Sequence, residues 1–233
     1  MAKKSKKQEQ QGSIIENPEA IAEKLSRSEE FIAKNRNIVI GVAVALIAAV
    51  GVFFFLRQNK ATADTEAQAA MFQATIYFEA DSLNKALNGD GNSYGFIEII
   101  EEFGGTGASN LASFYAGAAY LKQGEYEKAI EYLNSFSASD LLVQARAYAL
   151  TGDAYMELGN YVSASDYYEK AADNTDNTEF SPGYLLKAAL AFEKRNSMND
   201  AVRVLDKLIK NYPEAQEITT ARKQKARLAL LAS

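Results

Sequence analysis

The stretch ARAYALTGDAYMELGNYVSASDYYEKA, residues 145–171, decides the fold, because a second stretch of the chain aligns with it without a gap. That second stretch is NLASFYAGAAYLKQGEYEKAIEYLNSF, residues 110–136, and the offset is 35 residues throughout. Gly152 has its equivalent in Gly117, and a looser third copy ends at Pro213. Self-similarity at a period of 20 to 50 residues is typical of stacked repeats, so we predict a repeat architecture.

The conserved spacing of small residues within the repeat has a steric reason. Gly117 and Gly152 are predicted to lie where two antiparallel helices cross, at positions that leave no room for a side chain. Gly124 and Gly159 are predicted to end the first helix of each pair, where the backbone turns left-handed. One helix pair cannot bury its apolar face alone, so neighbouring pairs stack. The pattern is that of the tetratricopeptide repeat, and we predict three repeats over residues 110–213.

Toward the N-terminus, residues 38–56 (IVIGVAVALIAAVGVFFFL) contain no charged side chain. Nineteen helical residues span roughly 28 Å, close to the ~30 Å hydrocarbon thickness of a bilayer, and the run is apolar on every side. A cleavable signal peptide would have a shorter apolar core behind a short basic leader, whereas 37 residues come first here. A buried helix of a soluble core is the other alternative. We predict a retained transmembrane helix at 38–56.

Basic residues are more numerous before this apolar run than directly after it. Lys24, Arg27, Lys34 and Arg36 precede it closely, and Lys3, Lys4, Lys6 and Lys7 lie further back. Only Arg57 and Lys60 follow before an acidic-leaning stretch. The positive-inside rule therefore predicts a cytoplasmic tail at 1–37 and a larger part across the membrane, which in a bacterium means an inner-membrane protein with a periplasmic domain. Within the tail, residues 1–16 are predicted to be disordered and 17–37 to form an amphipathic helix.

The regions that flank the repeats complete the predicted fold. Residues 57–109 are predicted to form a stalk and a divergent first helical hairpin, with helices at 66–88 and 94–103 around the turn-rich NGDGNS. Residues 214–233 are predicted to form a capping helix with a solvated face. The fold class is therefore all-α, with a single N-terminal transmembrane helix followed by a tetratricopeptide-repeat α-solenoid.

Composition argues against catalysis and against nucleic-acid binding. The chain contains no Cys, His or Trp, so thiol chemistry and the commonest general base and metal ligand are absent. Residues 58–233 hold 16 basic and 24 acidic groups, a poor balance for binding phosphates. GGTG at 104–107 lacks the Lys-Ser/Thr of a phosphate loop, and NGDGNSYGFIE has too few carboxylates for a calcium loop. We expect no enzymatic activity, no cofactor, no metal, no small-molecule substrate and no nucleic acid.

Protein binding is the predicted class of function. In tetratricopeptide arrays the first helices of successive pairs line a groove, and the register here gives a set of candidate groove residues. They are Leu111, Phe114, Tyr115, Leu121, Arg146, Leu150, Met156, Leu186 and Leu190. Arrays that clamp a carboxyl terminus use Lys and Asn at such positions, and that clamp is not expected here. The groove is predicted to receive an apolar peptide. The alternative is that several of these residues pack between repeats or lie under the C-terminal helix.

The arrangement of a short cytoplasmic tail, one N-terminal span, the stretch EEFGGTGASNLASFYAGAAY (101–120) and weak tetratricopeptide units resembles the YfgM-like family. That resemblance implies an ancillary inner-membrane subunit associated with the Sec translocon. It also implies a link between the channel subunits and a membrane-anchored periplasmic chaperone of the prolyl isomerase type, or emerging substrates. The alternative is a structural adaptor in another envelope assembly, such as cell division, outer-membrane biogenesis or secretion machinery.

Overall fold

The computed structural model describes residues 31–231 of the 233-residue chain. The segment predicted to be disordered, 1–16, and most of the amphipathic helix predicted at 17–37 lie outside the described residues. Of that helix, residues 31–34 are helical, and a turn follows at Asn35. The chain divides into two compact units, 1–59 and 60–233.

Helix α1, Arg36–Glu79, contains the apolar run of the first unit. Among the described residues it is the helix that is long and apolar enough to cross a membrane, and no side chain of its most apolar window is buried. The run predicted as a membrane span lies inside this helix. An apolar stretch of this length without a buried side chain has the dimensions of a bilayer crossing.

The second unit is all-helical over its described residues, without a strand. After α1 its helices are α2 (Leu83–Asn88), α3 (Phe96–Glu102), α4 (Gly107–Gln123), α5 (Tyr126–Ser135), α6 (Leu141–Glu157), α7 (Tyr161–Thr175), α8 (Ser181–Lys194), α9 (Met198–Asn211) and α10 (Ile218–Leu231). Helices α4–α5, α6–α7 and α8–α9 form the three repeats, and α10 packs after the last of them. This is the all-α helical solenoid that the period of the sequence predicts.

Side-chain caps set where the first helix begins in the first two repeats. The Thr106 hydroxyl accepts a hydrogen bond from the Ser109 amide at 3.1 Å, so α4 begins at Gly107 rather than at 110. The Asp140 carboxylate accepts from the amides of Leu142 and Val143 and starts α6. Such caps satisfy amides that have no partner inside the helix.

The first helices of the repeats end on a left-handed residue, as predicted. Gly124 and Gly159 have φ of 81° and 71°. The third repeat has Asn196 at the corresponding turn, with φ of 62°. Asparagine is one of the few residues with a side chain that tolerates this conformation, so the looser third copy keeps the turn without a glycine.

Gly117 and Gly152 lie at helix crossings, as predicted, but against different partners. A Cβ atom on Gly117 would lie 2.6 Å from Cγ of Leu133 on α5. A Cβ atom on Gly152 would lie 2.7 Å from the ring of Tyr168 on α7. Both distances are below any normal carbon–carbon contact, so each crossing requires a residue without a side chain.

Two predicted helix boundaries are wrong, one on each side of the repeats. The predicted helix 66–88 is interrupted: α1 ends at Glu79, Asp81 turns left-handed with φ of 56°, and the Ser82 amide donates to the Tyr77 carbonyl. The capping helix begins at Ile218 rather than at 214, because turns occupy the residues that follow Pro213.

Ion pairs with a fixed sequence separation join successive helix pairs. Each connects a carboxylate to a basic residue 34 positions later, which is close to one repeat. The pairs are Asp153–Lys187 at 2.7 Å, Glu169–Arg203 at 2.9 Å, Glu193–Arg227 at 2.6 Å and Asp173–Lys207. Residues one repeat apart occupy equivalent places on stacked helix pairs, so a constant separation is what a solenoid produces. We refer to these pairs as the charge ladder.

Candidate functional site

Seven of the nine predicted groove residues line one of two separate depressions in the repeat array. We name the first the apolar depression; it has a volume of about 470 Å³. Its lining residues are Leu111, Phe114 and Tyr115 of α4, Leu142, Val143 and Arg146 of α6, and Phe180 and Tyr184 at the start of α8. Four of the predicted residues are brought together here: Leu111, Phe114, Tyr115 and Arg146.

Exposed apolar side chains surround the apolar depression, one from each repeat. Leu111 is 39% exposed, Leu142 is 44% exposed and Phe180 is 47% exposed. The surface of a soluble domain tolerates single exposed apolar residues, but a contiguous group around a concavity indicates a binding site.

The aromatic side chains of α4 give the depression a rigid floor. The ring of Phe114 contacts Phe136 with centroids 5.2 Å apart and Tyr115 with centroids 5.7 Å apart. Tyr115 in turn stacks on Phe96 of α3 at 5.3 Å. Phe114 and Tyr115 are therefore half-buried and partly committed to the packing between helices.

Arg146 is the single charged residue that lines the apolar depression. It is exposed on α6 and interacts with the hydroxyl of Tyr184. Burial raises the pKa of Tyr184, while the nearby guanidinium acts in the opposite direction. The Tyr184 phenol therefore stays neutral at neutral pH beside the Arg146 guanidinium.

The second depression, the ion-paired depression, has a volume of about 530 Å³. Its lining residues are Leu121, Tyr126, Asp153, Met156, Glu157, Tyr168, Lys187 and Leu190. Three of them, Leu121, Met156 and Leu190, are predicted groove residues. At its centre the Asp153 carboxylate accepts hydrogen bonds from the Tyr168 hydroxyl at 2.7 Å and from Lys187 Nζ at 2.7 Å and 3.0 Å.

The three polar groups at the centre of the ion-paired depression, Asp153, Tyr168 and Lys187, satisfy one another. Burial raises the pKa of Tyr168 far above its ordinary value, with the Asp153 charge as the next cause. The phenol therefore stays protonated and remains a donor to Asp153. With Lys187 also held by Asp153, this depression presents no unpaired charge at its centre.

Two of the predicted groove residues do not belong to either depression. Leu150 is 8% exposed and packs between repeats with Leu133 and Phe136, so its prediction as a groove residue is wrong. Leu186 is half-buried and packs against the core around α8 and α9. Helix geometry explains both, because their positions turn toward the neighbouring helices rather than away from them.

Four lining residues are not among the predicted groove residues: Leu142, Val143, Phe180 and Tyr184. The aligned repeat begins at 145, whereas α6 begins at Leu141. The residues of the first turn of α6 are therefore absent from the predicted groove. Asp140 could have indicated the true start of α6, because an aspartate directly before an apolar run is typical of a helix N-cap. Within the described residues, no group of three or more Asp and Glu side chains could hold a metal ion.

Comparisons with known proteins agree with this geometry. Residues 114–179 match one family model of the tetratricopeptide repeat, and residues 184–215 match a second. The chain carries tetratricopeptide repeats. Such repeats indicate a protein–protein interaction module and typically form non-enzymatic scaffolds.

Solved structures with a similar fold come from a putative kinesin light chain of Podosopora anserina with nearly identical TPR-like repeats. Two of them, one a point variant, have a TM-score of 0.53 with 13% and 12% identity. Each match covers 71% of this chain, and it covers 85% of the first kinesin light chain structure and 86% of the second. At this identity the likeness shows the fold alone. A search of curated proteins gives no match.

Proposed function

We propose that this protein is a membrane-anchored interaction module that binds a segment of a partner protein in the apolar depression. The observation that carries the proposal is the group of exposed apolar side chains, Leu111, Leu142 and Phe180, contributed by three successive repeats around one concavity. Complete burial of one such side chain is worth about 1.5–3 kcal/mol, and these are already roughly half-buried. Covering all three contributes about 3 kcal/mol, or two orders of magnitude in affinity.

The proposed location and partner rest on the sequence. The apolar run of α1 supports a single span, and the excess of basic residues before it supports a cytoplasmic N-terminus with the repeats in the periplasm. The resemblance to the YfgM-like family supports an ancillary role at the Sec translocon, in which the repeats link the channel to a membrane-anchored prolyl isomerase or to emerging substrates. A reporter that works only in the cytoplasm should be inactive when fused after Ser233.

The test is affinity purification of the full-length chain from its native membranes in mild detergent, followed by mass spectrometry. Wild-type protein is compared with Leu142→Glu and with the control Val162→Glu, because Val162 is also exposed (55%) but lies on α7, outside the depression. Phe114 and Leu121 are less suitable positions, since both pack against the core between the first two repeats. Circular dichroism of each variant checks that the helices remain folded.

We expect the wild type and Val162→Glu to recover the channel-forming Sec subunits and the prolyl isomerase, and Leu142→Glu to lose most of at least one of them. Recovery unchanged by Leu142→Glu would contradict binding in the apolar depression. Recovery of a different envelope complex without Sec subunits would replace the translocon role with that of a structural adaptor, and the same variant would show whether the depression makes that contact.

A further inference from the structure

We propose that the segment bound in the apolar depression carries an acidic side chain with apolar residues on both sides, and that its carboxylate pairs with Arg146. The inference rests on the proposed function of the depression and specifies the chemistry of its occupant. Three features support it: the position of Arg146, its lack of an ionic partner and the cost of covering it.

The position of Arg146 is central among the lining residues. It belongs to α6, the first helix of the second repeat. Leu111 and Phe114 line the depression from the preceding repeat, and Phe180 and Tyr184 line it from the following one. A segment that crosses all three repeats would therefore place apolar residues on either side of the guanidinium.

Arg146 differs from the basic residues of the charge ladder. Lys187, Arg203 and Arg227 each hold a carboxylate that lies 34 residues earlier. The residue 34 positions before Arg146 is Ala112, which has no charge to offer. No carboxylate of the described residues 31–231 forms an ion pair with Arg146, which lies near the Tyr184 hydroxyl and acts to lower the pKa of that phenol.

Removing water from the Arg146 guanidinium costs free energy, and the size of that cost depends on the chemistry of the bound segment. In the free protein the guanidinium is exposed and solvated. A wholly apolar segment would displace that water and leave a charge without compensation, which is strongly unfavourable. A basic segment would add repulsion. A carboxylate in the middle of the segment restores a charged partner with two hydrogen bonds, the geometry that arginine favours.

An acidic side chain fits better than a free carboxyl terminus. A chain that ended at Arg146 would fill the apolar surface on one side only, and either Leu111 or Phe180 would stay exposed. An internal Glu or Asp lets the segment continue and cover both. The apolar depression thus differs from a clamp for carboxyl termini.

The test measures fluorescence anisotropy of labelled peptides with the full-length chain in phosphatidylcholine nanodiscs. The probes are nine-residue peptides with Leu and Phe on both sides of a central residue, acetylated and amidated, with Glu or the isosteric Gln at the centre. A third probe ends in Leu with a free carboxyl terminus and has no other acid. Arg146→Gln is compared with the control Arg222→Gln, which removes an exposed cation from α10.

We expect the Glu peptide to bind the wild type and Arg222→Gln about three- to tenfold more tightly than the Gln peptide. In Arg146→Gln the two affinities should become equal. Equal affinities on the wild type, or tighter binding of the free-terminus probe, would overturn the inference. So would failure of every peptide to bind while partner capture still depends on Leu142. Loss of that dependence on Leu142 would instead remove the proposed function itself.

Discussion

The junction between the first and second repeats differs from the junction between the second and third in how charge is used. The first is apolar: Leu133, Phe136 and Leu150 pack together, and no ion pair among the described residues crosses it. The second also has an apolar core, around Leu185, but three pairs of the charge ladder connect its helices. The same repeat is therefore joined to its neighbours by packing on one side and by packing with charge on the other.

The difference teaches which forces can vary between copies of one repeat. The left-handed helix end is fixed by backbone geometry and recurs in all three repeats, and the crossing glycine recurs in the first two. Contacts between successive repeats, in contrast, require only that the two facing surfaces match in shape or in charge, so they can differ from one junction to the next. Apolar burial contributes stability that salt hardly changes, whereas exposed ion pairs contribute little each and are screened by salt.

The largest expected effect is at the apolar junction. Leu150→Ala leaves a cavity between Leu133 and Phe136 and should lower the free energy of unfolding by about 3 kcal/mol. Urea unfolding of the full-length chain, followed by circular dichroism, measures it at low and high salt, and we expect no salt dependence. Leu190→Ala is the matched control, because Leu190 is 42% exposed and should cost less than 1 kcal/mol. Equal losses for the two leucines would contradict the assignment of Leu150 to the core.

A smaller effect is expected at the centre of the ion-paired depression. Asp153→Asn keeps an acceptor for the Tyr168 hydroxyl but leaves Lys187 without its carboxylate, and should cost about 1–2 kcal/mol. Unlike the loss at Leu150, this one should shrink when the unfolding is repeated in 1 M NaCl. A loss that salt does not change would mean that Asp153 acts through its hydrogen bonds alone.

The outer pair of the same junction should contribute less. Glu169 and Arg203 form two hydrogen bonds, at 2.9 Å and 3.0 Å, but the arginine side chain is 52% exposed. A double-mutant cycle with Glu169→Gln and Arg203→Gln should give a coupling energy of about 0.5 kcal/mol. The same cycle on Glu131 and Lys128, which form no ion pair with each other, supplies the baseline.

An effect no larger than this is expected at the last rung of the charge ladder, where it should depend on pH. The hydrogen bond from Arg227 lowers the pKa of Glu193, and partial burial offsets this in part. A carboxyl group with a lowered folded-state pKa stabilises the protein above its unfolded pKa of about 4.3 and loses that contribution as the pH falls through the folded value. Glu193→Gln should therefore cost about 0.5 kcal/mol at pH 7 and nothing near pH 3. An equal cost at both pH values would exclude the ion pair as its cause.

Much of the fold could be predicted from the sequence because backbone constraints leave local signatures. Gly124 and Gly159 mark helix ends by their conformation, and Gly117 and Gly152 mark crossings by their lack of a side chain. The break in the first hairpin could not be predicted, because Asp81 adopts a left-handed conformation there. Aspartate tolerates that conformation but also occurs in helices, so its presence does not mark a helix end.

The candidate site was less predictable, since its residues come from three helices and their rotation decides which side chains are exposed. The register placed Leu111 and Arg146 correctly in one depression but also included Leu150, which turns into the core. Phe180 lies at the N-terminal end of α8, outside the aligned repeat, so no periodic signal pointed to it. The partners of Asp153, Tyr168 in the same repeat and Lys187 in the next, likewise depend on how the helices pack and have no signature in the sequence.

The charge ladder also restricts how this array could grow during evolution. Its rungs are directional: the carboxylate comes first along the chain, and the cation comes one period later. A tandem duplication of residues 181–214, which adds 34 residues, would set Lys187 and Arg203 each opposite its own copy. Like charges would then face each other across the new junction, whereas Lys187 and Arg203 now face the carboxylates of Asp153 and Glu169 across the preceding one. Lengthening this array by such a duplication would therefore lose a little stability at low salt unless some of the facing charges also changed sign.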